Sequence, residues 1–124
     1  SLGSGIATYL AAKHQPRQLL LEAPYYSFVD LTYRKAPLYP YDYLLRYKFP
    51  TFERIGLVRC PITILHGTAD KLVPYASSEA LVRHAPQAHL VPIRGGQHKN
   101  LAERPEYHTA LAAVLSQDGS TSQK

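Results

Sequence analysis

Ser1, Asp70 and His98 are residue types that together carry out nucleophilic catalysis, provided the fold gathers them. A serine hydroxyl is a poor nucleophile until a base removes its proton. A neutral imidazole can take that proton near neutral pH if a carboxylate fixes its tautomer and stabilises the imidazolium that forms. Ser1 is followed by Leu2-Gly3-Ser4-Gly5, a helix start with glycine two residues after the serine. In such a turn the backbone N–H of Leu2 is expected to be one donor to a developing oxyanion. Asp70 closes the string His66-Gly67-Thr68-Ala69-Asp70, and His98 closes Gly95-Gly96-Gln97-His98. The paired glycines suggest a loop flexible enough to aim the imidazole.

These residues need elements to position them. Gly3 to His14 is a run of small and apolar residues suited to a helix lying close on a sheet. Leu19-Leu20-Leu21 within 18–22 reads as a buried strand, Ile62 to Leu65 as a second and His89 to Ile93 as a third. Pro74 opens a helix running to about His84, placed where its missing N–H costs nothing, and Pro105 begins a last helix through Leu115. Continuous apolar strands alternating with helices predict an α/β class with parallel strands covered on both faces. Ligands in such sheets gather beyond the carboxyl ends of the strands, so Ser1, Asp70 and His98 are expected on one rim.

The 124 residues fit a single domain. Hydrophobic residues make up 45% and charged residues 19%, a globular rather than disordered composition. The sequence contains no Met and starts with Ser, from which the polypeptide is expected to extend upstream. The net charge of +5 includes six basic residues between Arg34 and Arg59, where Asp42 and Glu53 are the only acids. That patch lacks the clustering of a nucleic-acid binder, so no nucleic-acid partner is expected. Cys60, the single cysteine, is read as a small buried hydrophobe. The six histidines show no His-x-x-x-His pair, and no phosphate loop is present, so neither metal nor cofactor is expected.

The strings Ser-Leu-Gly-Ser-Gly, Leu-Glu-Ala-Pro-Tyr, His-Gly-Thr-Ala-Asp-Lys-Leu-Val-Pro and Gly-Gly-Gln-His resemble the nucleophile elbow, strand 6, acid loop and histidine loop of α/β-hydrolases. The chain order Ser, Asp, His is also that of this superfamily. The resemblance covers residues 1 to about 115 and is to its serine hydrolases, the serine-aminopeptidase-like and acyl-protein-thioesterase-like group. It implies the C-terminal portion of the fold, strands 6–8 with flanking helices, without the N-terminal strands or the second oxyanion donor. Residues 116–124 read as a polar flexible tail.

Other assignments compete at each position. Ser4 would put Leu2 and Ile6 where the elbow needs small residues. Glu22 ends a strand and rivals Asp70 as the acid. His66 and His108 rival His98, and His14, His84 and His89 suit surface or packing roles. Residues 25–56, with seven tyrosines and three prolines, read as an inserted helical lid. Aromatics over a sheet are first of all core, but Phe28, Leu31, Leu38, Leu44, Leu45 and Phe49 offer surface for an acyl chain. Arg34, Lys35, Arg46 and Lys48 suit an anionic headgroup or membrane surface. The expected activity is hydrolysis of an ester or thioester of a small-molecule or acylated substrate. A serine peptidase or aminopeptidase, a non-catalytic module of the same fold, and a tyrosine-rich binder of single-stranded nucleic acid are the alternatives.

Overall fold

The computed structural model describes residues 3–38, 46 and 48–122, with side chains described as far as residue 117. Helix α1, Ser4–His14, buries Ser4, Gly5, Thr8 and Ala11. Spacings of three and four put these small side chains on one face, so the helix lies close to the sheet. Gln15 ends it in a left-handed conformation, φ 49°. Its side chain donates to the Leu57 carbonyl at 3.1 Å and accepts from the Arg59 amide at 2.8 Å.

Strands β1 (Leu19–Glu22), β2 (Ile62–Gly67) and β3 (Ala88–Ile93) form one parallel sheet in that order, pairing Leu19 with Ile62 and Ile62 with Ala88. Parallel pairing demands crossovers and cover on both faces, hence the run of apolar residues in each strand. Among the described residues, helices α2 (Phe28–Lys35) and α3 (Thr51–Ile55) lie between β1 and β2, and α4 (Tyr75–His84) lies between β2 and β3. Leu19, Leu21, Ile62, Ile64 and Ala88 pack with Ala11 of α1, Ile55 of α3 and Leu81 of α4 into the main core. A 3₁₀ turn, Leu101–Glu103, leads into α5, Pro105–Ser122, which packs on β2 and β3.

Several boundaries differ from the sequence reading. β2 continues through His66 to Gly67, carrying the strand to within three residues of Asp70. Pro74 stands just before α4 with ψ 140° rather than inside its first turn. The last helix runs on to Ser122 instead of ending near Leu115: no proline interrupts it, and a single helix glycine costs only about 1 kcal/mol.

Both described ends of the segment 25–56 are helical and knit an aromatic cluster. Tyr25 is buried with its ring edge-on to Phe28, and Phe28 meets Phe49 at 90°. Tyr26 stacks on Phe52 at 4.5 Å and its hydroxyl lies 2.9 Å from His84 Nε2. Tyr25 and Tyr26 are thus packing residues, whereas Leu38 is 92% exposed. Tyr39, Tyr41, Tyr43, Leu44, Leu45 and Tyr47 lie outside the described residues.

Candidate active site

Asp70 and His98 meet beyond the carboxyl ends of β2 and β3. Asp70 sits on the turn after β2, its amide bonded to the Gly67 carbonyl at 3.2 Å. Its carboxylate is fully buried and its charge is distributed over several donors. Oδ1 accepts from the Leu72 and Val73 amides, each at 2.8 Å, and Oδ2 accepts from His98 Nδ1 at 2.8 Å. An ionised carboxylate only accepts, so a neutral His98 carries its proton on Nδ1. Nε2 then holds the free lone pair, the form a general base requires. Ser1 and Leu2 lie outside the described residues, so Asp70 and His98 are the two of the three proposed catalytic side chains that the structure brings together.

The loops carrying the two residues are interlocked. Thr68 N donates to the Ile93 carbonyl at 3.1 Å, Ala69 N to the Gly96 carbonyl at 3.0 Å, and Gly95 N to Thr68 Oγ1 at 3.0 Å. A Cβ on Gly67 would collide with the Gly96 carbonyl, and Gly95 takes φ +65°, a conformation that costs glycine least. Arg104 clamps the Gly95 carbonyl at 2.8 Å, and Gln97 N donates to Asn100 Oδ1 at 2.8 Å. The expectation of a flexible aiming loop is therefore corrected. The glycines permit close approach and a left-handed turn, and the loop is held by hydrogen bonds.

His66, weighed in the sequence as a rival base, instead packs against the acid, a contact the sequence reading did not anticipate. It is fully buried, with Nε2 2.9 Å from the Val73 carbonyl and 3.4 Å from Asp70 Oδ2, and Nδ1 2.6 Å from Ser78 Oγ. A carbonyl can only accept, so neutral His66 carries its proton on Nε2 and Nδ1 accepts from Ser78. Burial holds this imidazole below its ordinary pKa, while the Val73 carbonyl and the Asp70 carboxylate pull upward. His66 thus faces the acid as a neutral donor. The signal was its place four residues before Asp70 at the strand end.

The other candidates have separate partners. Glu22, exposed at the end of β1, accepts from the Tyr107 hydroxyl at 2.9 Å, and this bond, with burial, raises the phenol's pKa. His108 Nε2 lies 2.6 Å from the Ala102 carbonyl. Ser4 is buried in the first turn of α1. Cys60 is buried, and desolvation raises its thiol pKa. No group of three or more His, Cys, Asp or Glu side chains arranged for a metal occurs among the described residues. A cavity of about 700 Å³ lies between the sheet and α5, lined by Thr63, His89 and Ala110. Pro61 and Gln87, just before β2 and β3, also line it, and neither Asp70 nor His98 does.

No protein-family profile matches the chain. The solved structure of α/β hydrolase domain-containing protein 10 from mouse superposes with a TM-score of 0.69 at 18% identity, covering 98% of this chain and 60% of that one. The chain has the α/β-hydrolase fold. In its C-terminal portion β1, β2 and β3 take the places of strands 6, 7 and 8. An uncharacterised Mycobacterium tuberculosis protein is 34% identical over 114 residues, 92% of this chain and 41% of that protein. A lysophosphatidylserine lipase of Xenopus tropicalis, ABHD12, is 26% identical over 157 residues, all of this chain and 39% of the lipase. The chain thus spans about two-fifths of the length of these curated relatives.

Proposed function

We propose that this chain is the C-terminal half of a single α/β-hydrolase domain, residues 1–115 with a lid at about 25–56, in a serine hydrolase of esters or thioesters. The observation that carries the reading is the 2.8 Å bond from His98 Nδ1 to the buried Asp70 carboxylate at adjacent strand ends. In α/β-hydrolases the nucleophile sits on a strand-to-helix turn at that rim, and Ser1 lies three residues before the first residue of α1. In the proposed reaction His98 Nε2 takes the Ser1 proton as Oγ attacks the substrate carbonyl. The Leu2 amide donates to the resulting oxyanion. Collapse breaks the bond to the leaving group, which receives the proton from His98 and leaves an acyl-Ser1 ester. Water, deprotonated by His98, then attacks that ester and releases the acid and free Ser1. Asp70 stays ionised throughout.

Selection is assigned to the lid. The lipase named among the relatives acts on a lysophospholipid, and the lid sequence offers Leu31, Leu38, Leu44 and Leu45 as apolar side chains for an acyl chain. Each acyl methylene buried there would contribute about 0.8 kcal/mol. With p-nitrophenyl esters of increasing chain length, kcat/KM of the complete protein should rise with acyl length and exceed that for aminoacyl-p-nitroanilides. A flat series, or faster anilide turnover, would replace the acyl-ester reading with a peptidase.

A further inference from the structure

The proposed reaction uses Asp70 and His98 but gives no part to His66, the imidazole buried behind them. In β2 the side chains of Ile62, Ile64 and Leu65 are fully buried and apolar, and an imidazole in their company costs free energy unless both ring nitrogens are partnered. Ser78 Oγ lies 2.6 Å from Nδ1, and the Val73 carbonyl lies 2.9 Å from Nε2. The carbonyl only accepts, so the ring proton sits on Nε2 and the Ser78 hydroxyl donates to Nδ1. Burial disfavours the imidazolium, which keeps the ring at one proton. Ser78 is itself fully buried, and Tyr75, three residues before it on the same face of α4, stands edge-on to the imidazole at 5.5 Å. Val73 links this buried ring to the acid. Its amide donates to Asp70 Oδ1 at 2.8 Å while its carbonyl accepts from His66, and Asp70 Oδ2 lies 3.4 Å from the same Nε2. The loop 70–73 is therefore closed from within by the Leu72 and Val73 amides and from beneath by the His66 N–H.

We propose that His66, its tautomer fixed by Ser78 and Val73, is a positioning residue that holds the loop 70–73 closed and aims the Asp70 carboxylate at His98. The two imidazoles then carry opposite tautomers, His66 protonated on Nε2 and His98 on Nδ1, and both face Asp70 Oδ2. His66 has no access to solvent or substrate, whereas the His98 side chain is 20% exposed. Without the Ser78 hydroxyl, Nδ1 loses its donor and the ring is free to turn away from Val73. Without the ring N–H, the Val73 carbonyl loses its partner, the loop loosens, and Oδ2 shifts relative to His98 Nδ1. A misplacement of about 1 Å at a reacting group can cost about a hundredfold in rate. A histidine that only filled the core would leave His98 undisturbed when replaced. The role of His98 as base belongs to the serine-hydrolase reading, and the proposal rests on it.

The test combines steady-state ester hydrolysis with heteronuclear NMR of isotopically labelled histidines in the complete protein, for wild type, Ser78→Ala, His66→Leu and His66→Gln. Wild type should show His66 protonated on Nε2 and His98 protonated on Nδ1. Ser78→Ala should lower kcat about tenfold and His66→Leu about a hundredfold, each with KM within about twofold of wild type. Both variants should also move the His98 Nδ1–H resonance, which a residue that only filled the core would leave in place. Glutamine carries an amide N–H at nearly the reach of Nε2, so His66→Gln should keep that resonance near its wild-type position and kcat within about fivefold. Thermal unfolding identifies a His66→Leu protein that fails to fold, and Ser78→Ala then decides the matter by itself. An unmoved His98 resonance or a wild-type kcat in Ser78→Ala, or wild-type His66 protonated on Nδ1, would overturn the proposal. If wild type hydrolyses no ester, the serine-hydrolase reading falls, and the His98 resonance alone then decides whether His66 aims the carboxylate.

Discussion

At the scale of single residues the site is an arrangement of proton positions. Asp70 has no spare oxygen, since Oδ1 serves two amides and Oδ2 faces two imidazoles. Asp70→Asn would keep the shape but present an amide where His98 Nδ1 now donates, favouring the wrong tautomer. Ester hydrolysis should fall by about 10⁴, while Glu22→Gln, remote from that bond, should do far less; reversed ranks in steady-state kinetics would make Glu22 the acid. His66 predicts a pH effect on stability. Its folded-state pKa is depressed by burial, so the unfolded chain binds more protons as pH falls. Its contribution is complete above the ordinary imidazole pKa of about 6.5 and is lost as pH falls from there through the folded value. Urea unfolding of wild type and His66→Gln between pH 7.5 and 5, a range about the ordinary imidazole pKa, should show a smaller pH dependence in the variant. Equal slopes would mean that His66 does not titrate on unfolding.

At the scale of elements, the strands were legible because parallel pairing demands apolar residues on both faces, and Leu19-Leu20-Leu21 and Ile62 to Leu65 declare that directly. The order of Asp70 and His98 at strand ends was legible for the same reason. The interlock between the two loops was not: it depends on backbone atoms of Gly67 and Gly96 meeting across 29 positions of sequence, and glycines look alike whether they bend or pack. Gly67→Ala tests that packing. The new methyl would push the Gly96 backbone away and shift His98 relative to Asp70. Stability should drop by about 1–3 kcal/mol, with a further loss of kcat at unchanged KM. A fully stable, fully active Gly67→Ala protein would show the interlock to be slack.

At the scale of the whole molecule, β1 lies at one edge of a three-stranded sheet. An apolar edge strand invites pairing with another chain. On the proposed reading the remaining strands of the domain cover that edge and complete the oxyanion hole, so these 124 residues alone should self-associate and turn over no ester. Turnover by a monomer of this chain would contradict the division. The central claim, that Ser1 is the nucleophile served by His98 and Asp70, is tested most directly by fluorophosphonate labelling of the complete protein followed by mass spectrometry of its peptides. The account predicts one covalent adduct on the peptide carrying Ser1, absent in Ser1→Ala and formed orders of magnitude more slowly in His98→Ala. Undiminished labelling of Ser1→Ala, or an adduct on the peptide carrying another residue, would contradict it.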